Sequence, residues 1–234
     1  ERELAASCPD RDLFRAFTSG MIIRKLKQRD GIETDTPLEA LQKLAEQGYE
    51  DVAVQSLHII NGDEYEKIAR EVQSLRPLFR RLTIGTPLLS GHDDYVRLMQ
   101  ALEQQMPALK TDEKVVFMGH GASHHAFAAY ACLDHMMSVQ RFPARVGAVE
   151  SYPEVEVLIE SLNQEGVRGV HLMPRMLGAG DQAINDMASD EEDSWKTLFI
   201  AAGIPATPWL QGLGENPAVR AMFVEHLQQS LEVA

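Results

Sequence analysis

Short apolar runs alternate along this chain with longer stretches whose apolar residues recur every third or fourth position. The first pattern suits buried strands and the second suits helices with one apolar face, so their alternation predicts βα crossover units and a parallel sheet. Strands are expected at 13–17, 51–57, 82–84, 114–118, 146–149, 169–173 and 206–210. Three helix starts carry a hydroxyl residue followed three positions on by Glu, the capping-box spacing: Thr36 with Glu39, Ser151 with Glu154, and Ser189 with Glu192. Pro37 and Gly48 punctuate the first of these helices at its entry and exit. The acidic run 190–193 then reads as negative charge at a helix's positive end, with metal binding as the other reading.

The polar turn at 107–113 follows a helix predicted near 95–105 and precedes the strand at 114, which makes it the expected break. The reading is an α/β protein of two halves, 1–112 and 113–214. A final segment, 215–234, is helical from about 218 to 233 after Gly212-Leu-Gly-Glu-Asn-Pro217 and returns to the first half. No repeat of the solenoid or propeller kind is visible.

Charge narrows the partners. The chain has 234 residues, with 22 basic and 35 acidic side chains and a formal net charge of −13, a balance that disfavours a phosphate-neutralising nucleic-acid surface. Small molecules or proteins are favoured, and a locally basic cleft still leaves anionic ligands open. Cys8 and Cys132 form neither a CxxC pair nor a disulfide framework, which fits a reducing cytoplasm. No apolar run is long enough to cross a bilayer, and the first residues, which lack an initiating Met, show no signal-peptide pattern.

Candidate chemistry concentrates at two strand ends. Val115-Val-Phe-Met-Gly-His-Gly-Ala-Ser-His-His125 delivers His120 between two glycines, and Arg145-Val-Gly-Ala-Val-Glu-Ser151 ends the next strand in a carboxylate, Glu150. In an open parallel sheet the carboxyl ends of the strands form the ligand-binding rim, so this pair reads as a metal or acid/base site. The helix expected after Glu150 would favour its ionised form. His124 and His125, placed on a helix starting near Ala122, would point about a hundred degrees apart and could not both face one site. His135 reads as a helix-end or surface group, His58 as an exposed loop residue, and His171 as a hydrogen-bonded core histidine. The glycine-bearing loop from Arg175 to Asp186 could hold an anion on its amides but matches no dinucleotide or P-loop spacing. Met173, Met176 and Met187 read as apolar wall or packing.

These stretches, with Ser56-Leu-His-Ile-Ile-Asn-Gly-Asp-Glu-Tyr65, Ala148-Val-Glu-Ser-Tyr-Pro153 and Ala179-Gly-Asp through Ile184-Asn-Asp-Met-Ala188, resemble a known family along nearly the whole chain. It is that of the small anaerobic cobaltochelatases that insert cobalt into sirohydrochlorin in vitamin B12 synthesis, relatives of class II tetrapyrrole chelatases such as ferrochelatase. The resemblance implies two flavodoxin-like halves with a cleft between them for the macrocycle. It also implies His120 and Glu150 as metal ligands and proton acceptors. Where the family's loop reads Ala-Gly-Asp-His, this chain has Gln182, at best an auxiliary oxygen donor. Arg175 and Gly178 replace residues expected to be apolar, and Arg175 is a candidate partner for a macrocycle carboxylate or for a surface salt bridge. Met173 and Gln182 are counted with Arg175 as macrocycle-contacting residues. The family's opening strand and Gly-Thr-Ser loop have no counterpart here, so the first half is expected to lack one strand and to be marginal.

The implied reaction is that of a cytoplasmic lyase taking cobalt(II) as substrate, with nickel or iron as alternatives in vitro and no organic cofactor. Its partner would be sirohydrochlorin or a related tetrapyrrole, with no nucleic acid, no membrane and a homo-oligomer left as an open option. The rival reading is a tetrapyrrole- or metal-binding protein whose altered loop has lost or redirected chelation. A flavodoxin-like interaction protein without a macrocycle is a more distant one.

Overall fold

The computed structural model describes residues 1–232. They form an α/β protein with parallel strands, divided into two compact units.

The first unit holds residues 1–90 and the chain from Ala221 onward. Its elements are α1 (Arg2–Ser7), α2 (Gly20–Asp30), α3 (Pro37–Glu46), β1 (Asp51–Gln55), α4 (Asp63–Leu75) and β2 (Arg81–Gly85). The capping box at Thr36 forms as the spacing predicts: Glu39 N–H donates to the Thr36 hydroxyl, and the Thr36 amide donates to Glu39 Oε2 at 2.8 Å. Leu41 and Leu44 of α3 and Ile68, Val72 and Leu75 of α4 recur at helical spacing, and both sets pack with Phe79 and Leu82 into one core. β1 pairs in parallel with β2, with Val52 opposite Leu82 and Val54 opposite Ile84.

The strand expected at 13–17 does not form. Leu13 and Phe14 stay about half exposed, and the segment makes only an isolated bridge from Ala16 to Asp35, so its short apolar run finds no strand to pair with. Phe14 instead sets its ring edge-on to Tyr49 at 5.4 Å.

The second unit, Gly91–Arg220, contains α5 (His92–Gln105), β3 (Glu113–Gly119), α6 (Ala128–Val139), β4 (Ala144–Ala148), α7 (Val155–Gln164), β5 (Gly169–Pro174), α8 (Trp195–Ala201) and β6 (Ala206–Pro208). The last helix, α9 (Pro217–Glu232), starts in this unit and continues into the first. Val233, which the sequence pattern includes in that helix, lies outside the described residues. The turn at 107–113 falls inside the second unit. α5 belongs there because the buried Asn216 side chain donates to Ala101 O at 2.7 Å and to Gln105 Oε1 at 3.1 Å, while its own oxygen accepts the Ala218 amide.

All four strands run parallel in the order β4-β3-β5-β6. Val115 to Met118 of the central β3 are fully buried, as expected of a strand covered on both faces. Val116 and Met118 share one core with Leu158 and Leu162 of α7, Leu172 of β5, and Trp195 and Phe199 of α8.

Two expected capping boxes are displaced. α7 starts at Val155 after a turn with a cis Tyr152–Pro153 peptide, and the Ser151 hydroxyl accepts the Ala122 amide at 3.2 Å instead of capping a helix. α8 starts at Trp195, capped by Ser194, whose oxygen accepts the Thr197 amide, while the Ser189 hydroxyl donates to Asn185 O at 2.6 Å. Of the acidic run, Asp190 pairs with Lys196 at 2.6 Å.

Candidate functional site

β3 and β4 end side by side, with Gly119 opposite Ala148, and the ladder continues one step past them. Val149 N–H donates to Gly119 O and Glu150 N–H to His120 O, each at 3.1 Å. Neighbouring strand ends therefore hold an imidazole and a carboxylate in register. His120 Nε2 lies 3.8 Å from Glu150 Oε2, and both side chains are more than half exposed.

Glycine is needed beside His120 for two separate reasons. Gly121 adopts φ +97°, and a Cβ there would sit 2.7 Å from the Glu150 amide nitrogen. A Cβ on Gly119 would lie 2.1 Å from the Tyr130 ring. Tyr130 is buried, and its hydroxyl accepts the Gly121 amide at 3.2 Å, so α6 holds the loop that carries His120. Sequence reading missed this role, because Tyr130 looks like any aromatic on the apolar face of a helix.

The third group arrives from the loop after β5. The Arg175 amide donates to Met118 O at 2.7 Å, tying the start of that loop to β3. Ala183 and Met187 anchor its end in the core, and their burial sets the position of Gln182 just before them. Gln182 Oε1 lies 2.8 Å from His120 Nδ1. With the amide oxygen accepting, Nδ1 carries the imidazole proton and the Nε2 lone pair turns to the Glu150 side. Metal–nitrogen and metal–oxygen bonds of about 2 Å each would sum to roughly 4 Å, so a 3.8 Å gap can be bracketed by one divalent ion. The same two groups can accept protons. His120, Glu150 and Gln182 thus come together, with the glutamine in a partner's place behind the imidazole.

Other candidates lie elsewhere. Met173 on β5 is 1 % exposed and pairs with Phe117, so it packs in the sheet and does not face the His120–Glu150 pair. Met176 and Met187 likewise join the core. Arg175 forms no surface salt bridge and presents no charge to solvent: it is 1 % exposed, its guanidinium carbon lies 4.3 Å from the Tyr130 ring centroid, and none of its side-chain nitrogens has a hydrogen-bond acceptor among the described residues. Burial pushes its pKa below the usual arginine range, against the opposing pull of Tyr130 and Tyr95.

The loop after His120 stays non-helical to residue 124, so His124 and His125 do not project from a common helix. His124 caps the turn His125–Phe127 by accepting the Ala126 amide, and the His124 and His125 rings lie tilted to each other with centroids 3.8 Å apart. Nor does Glu150 adjoin a helix N-terminus, since α7 begins only at Val155 and a helix field fades within a turn. His171 lies 3.5 Å from Glu113 on partly buried strand positions. In the first unit His58 is three-quarters buried, between the Ser56 hydroxyl at 2.8 Å and Glu64 at 2.9 Å.

A family model described as cobalt chelatase (CbiK) matches residues 1–232. The chain is 81% identical over 234 residues to a protein of Salmonella typhimurium strain LT2 named sirohydrochlorin cobaltochelatase, covering 100% of this chain and 89% of that protein. It is 38% identical over 215 residues to sirohydrochlorin cobaltochelatase CbiKC of Nitratidesulfovibrio vulgaris, covering 91% and 76% respectively. Two solved structures share the fold at low identity. SirB from Bacillus subtilis with Fe3+ gives a TM-score of 0.57 at 15% identity, covering 91% of this chain and 88% of that one. The sirohydrochlorin chelatase SirB of the subspecies spizizenii in complex with cobalt gives 0.53 at 16%, covering 92% and 88%. A match of this extent, on a chain whose second sheet ends in the His120–Glu150 pair, places the protein in the cobalt chelatase (CbiK) family.

Proposed function

We propose that this protein is a lyase that inserts cobalt(II) into sirohydrochlorin in anaerobic cobalamin synthesis, with His120 and Glu150 handling the metal and the protons. Membership of the family and the names of two relatives support the reaction. The observation that carries the site is the 3.8 Å approach of His120 Nε2 to Glu150 Oε2, with His120 Nδ1 held by Gln182.

Insertion replaces two pyrrole N–H protons with one divalent ion. The site therefore needs a metal held loosely enough to be passed on and groups that take up the protons released. His120 offers one imidazole lone pair and Glu150 one carboxylate, a two-ligand set that binds more weakly than a closed cage. As the metal leaves for the macrocycle, the vacated imidazole nitrogen and the carboxylate become the nearest bases. Gln182 contributes by keeping the proton on Nδ1, so that Nε2 stays available. Nickel or iron serve as alternative ions in vitro on this reading, and no organic cofactor takes part. A biosynthetic step of this kind belongs in the cytoplasm, and no helix among the described residues is long and apolar enough to cross a membrane.

A second reading has its own support. Gln182 stands where the family's loop carries histidine, and Arg175 places a buried charge at the start of that loop. On that reading the protein binds a tetrapyrrole or a metal without efficient insertion. Mixing the protein with sirohydrochlorin and Co²⁺ and following the absorption spectrum decides between them. Insertion faster than the protein-free reaction, reduced roughly 10²-fold or more by His120→Ala, supports the chelatase. Spectral binding without acceleration supports the second reading.

A further inference from the structure

The opposite end of the second unit's sheet holds a cationic recess. A cavity of about 590 Å³ opens beside the start of β3 and the entry to β4, and Lys110, Lys114, Arg141, Arg145, Glu113 and Glu165 are among its walls. Four cations against two carboxylates leave a positive surplus on a chain whose net charge is −13.

Three of these cations have acidic partners. Lys110 Nζ lies 2.8 Å from Glu113, Lys114 pairs with Glu165, and Arg145 forks onto Asp134 at 2.9 Å while reaching Glu165 at 2.8 Å. Arg141 is exposed and, among the described residues, makes no side-chain hydrogen bond or ion pair.

The backbone of Arg141 makes its presence informative. α6 ends with Arg141 N–H donating to Ser138 O at 3.1 Å and Phe142 N–H donating to Met137 O at 2.9 Å. Arg141 takes φ +54° there, and it is the only non-glycine residue with positive φ among the described residues. A helix exit of this form ordinarily uses glycine, because a Cβ in the left-handed region is strained. An arginine kept in that conformation, lining a cavity of ligand size and lacking a carboxylate, offers a guanidinium that an incoming anion would pair.

We propose that this recess binds a small polyanion bearing phosphate or carboxylate oxygens, with Arg141 as its principal contact. The guanidinium fork matches the geometry of both groups. The site is separate from the metal centre, because β3 runs seven residues from Glu113 at the recess to Gly119 beside His120, a span of roughly 20 Å.

The test is thermal melting of the full chain at fixed ionic strength, metal-free, with inorganic pyrophosphate, citrate or sodium chloride. A rise in Tm with pyrophosphate or citrate above the chloride control is expected, and the larger rise tells phosphate from carboxylate chemistry. Arg141→Gly suits the left-handed backbone, so it should fold at least as stably while binding the anion about tenfold more weakly. His120→Ala should keep the anion-dependent rise. No rise beyond chloride in the parent, an undiminished rise in Arg141→Gly, or its loss in His120→Ala would each overturn the proposal.

Discussion

Gln182 Oε1 lies 2.8 Å from His120 Nδ1, so the loop after β5 supplies a hydrogen-bond partner to the imidazole at the end of β3. Gln182→Leu should weaken Co²⁺ binding about tenfold or more, because an imidazole without its partner loses orientation and basicity. Gln182→His should strengthen both Co²⁺ binding and insertion by adding a ligand nitrogen. Calorimetric Co²⁺ titration and the insertion assay measure the two effects, and equal rates for parent and Gln182→His would show that the glutamine is no handicap.

Gly121→Ala probes the strand-end geometry. The new Cβ would meet the Glu150 amide at 2.7 Å in a backbone conformation that disfavours side chains. We expect a stability loss of about 2 kcal/mol in urea titration. Insertion should fall further than the folded fraction does, since the clash separates His120 from Glu150. An active, fully stable variant would contradict the register described above.

Arg175→Leu should stabilise the protein. The parent buries a guanidinium without a carboxylate partner, beside the Tyr130 ring face and the side chain of Tyr95. Removing an uncompensated buried charge while filling its volume should raise unfolding stability by about 2 kcal/mol. An unchanged or lower urea midpoint would mean that the guanidinium is satisfied in solution.

Acid stability has a local contributor in Glu113. The Lys110 ammonium and backbone, opposed by slight burial and aided by His171, hold its carboxyl at about 2, down from an ordinary 4.5. The unfolded chain then takes up this proton first as pH falls. The contribution is full above about pH 4.5 and is lost as the pH drops toward 2. Its main partner, Lys110, is exposed, so solvent screening should keep the effect small. Comparing urea midpoints across this window, Glu113→Gln should show a shallower acid slope than the parent.

The parallel α/β class, the strands at β1 to β6 and the candidate pair His120–Glu150 were legible in the chain, because strands covered by crossover helices write themselves as short apolar runs alternating with stretches of helical periodicity. The Thr36–Glu39 box was legible for a similar reason: both its hydrogen bonds are local. The same spacing at Ser151 and Ser189 failed because hydroxyls accept whichever donor the fold brings near, and Ala122, twenty-nine positions from Ser151, is invisible to local pattern.

Residue types and their order along the chain therefore determined β1 to β6 and the placing of His120 and Glu150 at neighbouring strand ends, whereas the apolar run at 13–17 had no strand to pair with and stayed outside the sheet. Tertiary structure alone decided that Gln182 would reach His120, that Tyr130 would brace the loop, that Met173 and Arg175 would turn inward, and that Arg141 would face a recess at the far end of β3. Hydrophobic periodicity specifies which face of an element is buried. The positions of polar atoms a few ångströms apart depend on how separate elements pack, and no local segment encodes that.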